Sequence, residues 1–206
     1  MAQSFLQSPA WLAFLASEGQ CMHGHAPEWQ WTERRMGHIG SYWYGGFVRG
    51  GQGYVSAIVR EAQRTGAVFL RVSPVDVETA DVLRQTAPDA RRVSDAQPST
   101  SLVLDLRSDE ASLLRGFKTK TRYNIGVAQR HGVRVEIVQT PLPAATFEKV
   151  WSLYEDTARR HGIRNHPRAH YANAPGEWVL AWLGDELLNA HFCVGYDGVY
   201  TYLYGA

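Results

Sequence analysis

A run of cationic side chains without a single acidic residue is the most distinctive chemical feature of this sequence. Residues 115–134 hold six lysines and arginines and no aspartate or glutamate, whereas the whole chain of 206 residues has a net charge of only +1. The cationic residues are Arg115, Lys118, Lys120, Arg122, Arg130 and Arg134. This concentration predicts a local anionic partner, because Lys and Arg bind phosphate oxygens, including those of a tRNA backbone. The alternative is a solvated helix face that has no partner.

A second cluster joins arginines and histidines between residues 159 and 171. Its members are Arg159, Arg160, His161, Arg164, His166, Arg168 and His170. His166 and His170 are four residues apart, but Pro167 prevents a shared helix and no acidic residue lies between them. We therefore expect no zinc site here, and anion binding is the favoured interpretation.

A glycine-rich loop, Arg49-Gly50-Gly51-Gln52-Gly53, stands between a predicted strand and a predicted helix. Glycine amides in front of a helix N-terminus can bind an anion, and Arg49 adds a positive charge. This arrangement is similar to the pyrophosphate loop of acyl-CoA N-acyltransferases, although Gln52 stands where their pattern has glycine. The alternative is a tight loop whose glycines adopt positive φ.

Hydrophobic spacing predicts that alternating helices and strands position these groups. We expect a helix over residues 119–131 within the cationic run, and a long helix that ends near Gly162 in front of the arginine–histidine cluster. We expect a strand over Leu102–Leu106 and a loop over residues 20–28. Along a C-terminal strand, every second residue is a tyrosine, which predicts one shared face for Tyr200, Tyr202 and Tyr204.

The composition is that of an ordinary globular chain, with 45% hydrophobic and 20% charged residues, which excludes disorder, collagen-like repeats and a coiled coil. No apolar run approaches the roughly 20 residues that span a bilayer. Two cysteines are too few for a disulfide framework, which favours a cytoplasmic location. We interpret Cys21, His23 and His25 as a surface loop without a metal. A polar, turn-rich segment over residues 95–100 predicts a boundary between two halves.

Several stretches resemble motifs of the Fem family, the aminoacyltransferases that form peptidoglycan bridges. They are Phe5-Leu6-Gln7-Ser8-Pro9-Ala10-Trp11, Gln97-Pro98-Ser99-Thr100 with Leu104-Asp105-Leu106, Lys118-Thr119-Lys120-Thr121-Arg122-Tyr123-Asn124-Ile125, Arg160-His161-Gly162-Ile163 and Tyr202-Leu203-Tyr204-Gly205-Ala206. The resemblance implies an α/β (α+β) chain of two tandem domains with the GNAT (acyl-CoA N-acyltransferase) fold. These would be residues 1–98 and residues 99–206, with the second domain incomplete at its C-terminal end.

The resemblance also implies a reaction and its partners. An amino acid would pass from aminoacyl-tRNA to the stem peptide of a peptidoglycan precursor, either UDP-MurNAc-pentapeptide in the cytoplasm or lipid II at the inner membrane face. Arg49, His166, His170 and Tyr204 would bind the precursor, and Lys118, Lys120 and Arg122 would bind tRNA. The catalytic residues are not indicated. We expect no cofactor, no metal ion and a monomer.

Two other functions are consistent with the same residues. One is an acyl-CoA-dependent N-acyltransferase of the same superfamily, which would bind coenzyme A. The other is a non-catalytic tRNA- or anion-binding module, which would bind tRNA in a salt-dependent way without transferring anything.

Overall fold

The computed structural model of this chain describes residues 3–23, 30–98 and 100–206, in which helices and strands alternate. The helices are α1 (Pro9–Ser17), α2 (Gln52–Arg64), α3 (Val77–Thr86), α4 (Glu110–Gly116), α5 (Thr119–Arg130), α6 (Ala144–His161) and α7 (Arg168–Asn173). The strands are β1 (Cys21–His23), β2 (Trp31–Arg35), β3 (Ser41–Val48), β4 (Leu70–Pro74), β5 (Arg134–Gln139), β6 (Glu177–Leu183), β7 (Glu186–Tyr196) and β8 (Val199–Gly205). Short 3₁₀ turns occupy Phe5–Gln7 and Gly37–Ile39. The predicted mixed α/β class is confirmed.

The chain forms two compact units, each built on a four-stranded sheet. Unit 1 comprises Met1–Ser99 with Gly195–Val199, and unit 2 comprises Thr100–Val194 with Tyr200–Ala206. The first sheet has the order β1-β2-β3-β4, in which β1, β2 and β3 pair antiparallel and β3 pairs parallel to β4. The second sheet has the order β5-β6-β7-β8, with β5, β6 and β7 antiparallel.

In unit 1, helix α2 covers one face of the sheet. Its Ile58 and Ala62 are four residues apart and therefore lie on the same side of the helix. They pack with Trp31, Trp43 and Val48 of β2 and β3 in one buried cluster. Burying a large side chain of this kind stabilises a fold by roughly 1.5–3 kcal/mol, so this cluster anchors the loop that leads into α2.

The N-terminal motif of unit 1 is held by one buried glutamine. The Gln7 side chain is 5% exposed. Its amide nitrogen donates to the carbonyls of Gln30 (3.2 Å) and Gly46 (3.0 Å), and its oxygen accepts from the Gln30 N–H (2.9 Å). Ser8 then caps α1 by accepting from the Trp11 N–H at 3.2 Å. In this structure the motif connects the start of the chain to β2 and β3.

In unit 2, the long helix α6 packs on the sheet through Phe147, Val150 and Tyr154. The Tyr154 ring meets that of Trp178 on β6 at 5.8 Å, edge to face. The helix ends as the sequence predicts, because Gly162 adopts the left-handed conformation at φ 63° that commonly terminates helices. The chain then turns into the arginine–histidine cluster.

Two predicted elements are wrong. Leu102–Leu106 is not a strand: residues 101–105 have no regular structure, and the Leu102 and Val103 side chains are 88% and 85% exposed. Apolar residues favour a strand only where a neighbouring strand pairs with them, and none pairs with this segment in the described chain. Conversely, the predicted loop over residues 20–28 contains β1, which pairs with β2 from Cys21 to His23; residues 24–28, with His25, lie outside the described residues.

Candidate functional site

The structure brings three of the predicted precursor-binding residues together in unit 2. His166 precedes α7, His170 lies in α7, and Tyr204 comes from β8. The two imidazole rings stack with centroids 4.4 Å apart and planes inclined by 17°. His170 Nε2 lies 3.2 Å from the Tyr204 hydroxyl, and His170 is 5% exposed. As predicted, Pro167 separates the histidines, because it stands at the N-cap of α7 and leaves His166 outside the helix.

Tyr171 completes this cluster, and the sequence analysis missed it. Its hydroxyl accepts a hydrogen bond from the His166 N–H at 3.3 Å, and its ring lies 5.3 Å from that of Tyr204. Burial raises the pKa of Tyr171, so its hydroxyl is neutral at physiological pH and can both donate and accept. In the sequence, Tyr171 could have been noticed as an aromatic residue directly after His170, next to the arginine–histidine cluster.

A cavity of 890 Å³ lies along α6 beside this cluster. Its lining includes Trp151, Glu155, Arg159, Arg164, His166 and Arg168. The lining holds three arginines and one glutamate, although Arg159 and Arg168 are paired with Asp156 and Glu148 outside the lining. Arg168 lies 5.3 Å from the centroid of the Phe147 ring and pairs with Glu148. A cationic cavity with an aromatic wall can hold a phosphorylated or otherwise anionic ligand.

Two buried polar groups under the cluster have no hydrogen-bond partner among the described residues. They are the Tyr154 hydroxyl and the Trp178 indole N–H. Tyr154 is 4% exposed, and its burial raises the pKa of its hydroxyl far above the usual range. Leaving such a group unpaired costs about 1–3 kcal/mol, so this region of unit 2 is not arranged for maximal stability.

The prediction of one shared face for the three C-terminal tyrosines is wrong. The Tyr204 ring lies 6.1 Å from that of Phe192, whereas the Tyr202 ring lies 4.8 Å from that of His191. Adjacent strand residues such as His191 and Phe192 point to opposite faces of the sheet, so Tyr204 and Tyr202 do as well. A strict two-residue alternation holds only in a regular strand, and Tyr204 is the tyrosine that contacts His166 and His170.

The cationic run coincides with a helix, as predicted. Helix α5 spans Thr119–Arg130, and none of its residues is buried. Lys118 at its N-cap and Lys120 in its first turn are exposed, and their side-chain ammonium groups form no hydrogen bond or ion pair with any described residue. Arg122 differs, since its guanidinium hydrogen-bonds to the carbonyls of Arg115 and Phe117. Arg130 is exposed near the end of the helix.

Arg49 lies in unit 1, where the carboxyl ends of the parallel strands β3 and β4 meet at one edge of the sheet. Its Nε donates to Asp76 Oδ2 at 3.1 Å. Asp76 also caps α3 by accepting from the Thr79 N–H at 2.8 Å. The hydrogen bonds from Thr79, and secondarily Arg49, lower the pKa of Asp76, so this carboxylate is ionised and holds Arg49 at the edge.

The glycines beside Arg49 do not have the conformation that a tight loop would require. Gly51 has φ −82°, and neither Gly50 nor Gly53 is among the residues with positive φ. The interpretation based on positive φ is therefore wrong. A side chain at Gly51 or Gly53 would meet no atom within 4 Å, so neither strain nor crowding explains glycine at these positions.

Neither a metal centre nor a membrane-spanning helix is found where the structure is described. Across residues 3–23, 30–98 and 100–206, no group of three or more His, Cys, Asp or Glu side chains is arranged to hold a metal ion. Within the same ranges, every helix is too short or too polar to cross a bilayer.

Comparison with known protein families finds a match over part of the chain. The model of the FemAB family matches residues 85–175, which include helix α5, helix α6, the cavity and both histidines of the cluster. This match, over less than half of the chain, confirms the predicted resemblance to the Fem family. This is a family of transferases that act in peptidoglycan synthesis. No curated protein matches the chain.

Proposed function

We propose that this chain is an aminoacyltransferase that moves an amino acid from aminoacyl-tRNA to the stem peptide of a peptidoglycan precursor. The observation that carries the proposal is the position of the FemAB match, because it covers both the cationic helix α5 and the cationic cavity beside the histidines. Two anionic substrates need two cationic surfaces. We further propose that residues 1–98 and 99–206 form two GNAT-like domains, in a cytoplasmic protein that acts as a monomer.

In the proposed reaction, the side-chain amine of the stem peptide attacks the ester carbonyl of aminoacyl-tRNA. The new C–N bond forms, the C–O bond to the terminal ribose breaks, and the ribose hydroxyl takes up the proton that the amine releases. No covalent enzyme intermediate is required, so the protein contributes by orienting two bound substrates and by stabilising the oxyanion.

The precursor is proposed to bind at His166, His170 and Tyr204 in unit 2, and Arg49 of unit 1 stays a separate candidate for precursor binding. The hydrogen bond between His170 and Tyr204 orients both rings. The nearby arginines Arg159, Arg164 and Arg168 offer charge-assisted hydrogen bonds to a diphosphate. Arg guanidinium groups remain charged at any physiological pH, so this binding does not depend on protonated histidines.

The tRNA is proposed to bind along α5 through Lys118 and Lys120, beside Arg122. The direct test measures transfer of a radiolabelled amino acid from tRNA to UDP-MurNAc-pentapeptide and to lipid II, with the full chain as enzyme. Formation of the lengthened stem peptide supports the proposal. Binding of tRNA without transfer to either acceptor would instead indicate the non-catalytic module.

The lysines can be tested separately by tRNA binding. We expect the double substitution Lys118→Ala and Lys120→Ala to weaken binding and to reduce the dependence of log Kd on log salt by about 1.4–1.8, at roughly 0.7–0.9 per lost phosphate contact. The matched control removes two equally exposed cations, Arg91 and Arg92, outside the cationic run. Equal losses in both double variants would mean that the binding is nonspecific attraction to charge.

The acyl-CoA-dependent alternative is favoured by one observation, the glycine-rich loop at the carboxyl edge of β3 and β4. Side-chain positions at Gly51 and Gly53 are open, and parallel strands commonly bind ligands at this edge. An acyl-CoA would then replace tRNA as the acyl donor. A melting-temperature shift with coenzyme A, and none with tRNA, would select this function over the proposed one.

A further inference from the structure

Helices α4 (Glu110–Gly116) and α5 (Thr119–Arg130) are joined by an elbow of two extended residues, Phe117 and Lys118. Their ψ angles are 152° and 148°. In α4, the last helical hydrogen bond runs from the Phe117 N–H to the Leu114 carbonyl at 3.2 Å. In α5, the first runs from the Arg122 N–H to the Lys118 carbonyl at 3.1 Å. Helical bonding therefore does not fix the angle between the helices, and the last carbonyls of α4 need other partners.

The Arg122 side chain supplies those partners. One guanidinium nitrogen donates to the carbonyls of Phe117 and, at 3.4 Å, of Arg115, and another donates to the Thr119 hydroxyl at 3.3 Å. A single side chain thus binds the end of α4, the elbow and the start of α5. A cation at a helix C-terminus also interacts favourably with the partial negative charge of the exposed carbonyls.

We propose that Arg122 is a positioning residue, which fixes the elbow and thereby sets where Lys118 and Lys120 stand for the tRNA phosphates. The inference rests on the proposed function. Its physical basis is a contrast between side chains within one exposed helix turn. The lysine ammonium groups make no bonds to the described residues, whereas the Arg122 guanidinium is bound to backbone carbonyls and a hydroxyl. The planar fork of arginine can bind several acceptors at once, and a lysine ammonium cannot reproduce that geometry.

The first experiment measures the elbow in the free protein. The Phe117 N–H donates to the Leu114 carbonyl, and Arg122 binds the Phe117 carbonyl. In both Arg122→Ala and Arg122→Lys, we expect this N–H to exchange its hydrogen roughly fivefold faster, because loss of the Arg122 bond, worth about 1 kcal/mol, lets the end of α4 open more often. Arg130→Ala is the matched control, since it removes an exposed cation from the same helix without touching the elbow. Unchanged exchange at Phe117 in Arg122→Ala would overturn the inference.

The second experiment is a double-mutant cycle on tRNA affinity. Substitution of Arg122 by Ala or by Lys should weaken tRNA binding about fivefold in the parent chain. It should weaken binding less than about twofold when Lys118 and Lys120 are already alanine, because a positioning residue acts through them. The inference would be overturned if the losses of tRNA affinity from the Arg122 and lysine substitutions were additive and Arg122→Lys kept full tRNA affinity. Arg122 would then be a direct phosphate contact.

The two experiments separate failure of the inference from failure of the proposed function. A parent chain that binds no tRNA would overturn the proposed function and, with it, the role of Arg122 in presenting the lysines. The exchange measurement does not involve tRNA. Faster exchange in both Arg122 variants, together with tRNA binding and a non-additive cycle, supports the inference in full.

Discussion

Substitution of Gln7 tests whether the N-terminal motif is held by the bonds that the structure gives it. Gln7→Ala removes three hydrogen bonds, two to the carbonyls of Gln30 and Gly46 and one from the Gln30 N–H. At about 1 kcal/mol net for each bond, the free energy of unfolding should fall by roughly 3 kcal/mol. For a chain of this length that corresponds to a Tm lower by about 6–12 °C.

Gln7→Glu refines the test, because it keeps the shape of the side chain but replaces the donor with an oxygen. That oxygen would face the carbonyls of Gln30 and Gly46, at the present distances of 3.2 and 3.0 Å. The carboxyl pKa in the folded state should therefore be raised, since burial and repulsion disfavour the charged form. The loss of stability should be small below the unfolded pKa of about 4.3 and should grow as pH rises to the folded pKa.

The assay is urea unfolding followed by tryptophan fluorescence between pH 4 and pH 8. Gln52→Ala serves as the control, since Gln52 is an exposed residue in the first turn of α2 and its loss should change stability by less than about 0.5 kcal/mol. The reasoning would be refuted if the free energy of unfolding of Gln7→Ala lay within about 1 kcal/mol of the parent value. A Gln7→Glu penalty independent of pH would also refute it.

Two further predictions concern ionisation and an unpaired hydroxyl. Hydrogen bonds from Ser41 and His23 lower the pKa of Glu33. Its contribution to stability should therefore be present above the unfolded pKa and be lost as pH falls through the folded pKa. In chemical unfolding, Glu33→Gln should reduce this loss of stability at acidic pH. Tyr154→Phe should leave the free energy of unfolding unchanged or raise it by about 1 kcal/mol, because the buried hydroxyl has no partner among the described residues. The matched Tyr171→Phe should lower it by a similar amount, because the His166 N–H loses its acceptor. Destabilisation by Tyr154→Phe, measured in the same way, would show that its hydroxyl is bonded.

Features that depend on neighbours in the sequence could be predicted, and features that depend on distant partners could not. Helix α5 and the end of α6 at Gly162 follow from local periodicity and from a residue that tolerates left-handed backbone. Strand β1 exists because β2 pairs with it, and Leu102–Leu106 is not a strand because no strand of the described residues pairs with it. Alternating or apolar sequence alone carries no information about such a partner.

The site shows the same division. Lys118 and Lys120 could be predicted from the sequence as candidate binding residues, because the charge pattern alone marks them and no knowledge of distant contacts is needed. The bonds of Arg122 to α4 could not be anticipated, because they depend on the path of the elbow. Tyr171 was missed because its role comes from a backbone N–H of His166 and from packing against Tyr204.

The unpaired segment after residue 100 also has a thermodynamic consequence. Leu102, Val103 and Leu106 are 88%, 85% and 63% exposed. Full burial of such a side chain is worth roughly 1.5–3 kcal/mol. At these exposed fractions, the three side chains together leave roughly 4–7 kcal/mol of stabilisation unrealised. That amount is comparable with the whole stability of a small domain. Any event that shields these three side chains from water will therefore shift the folding equilibrium of this protein more than most single substitutions can.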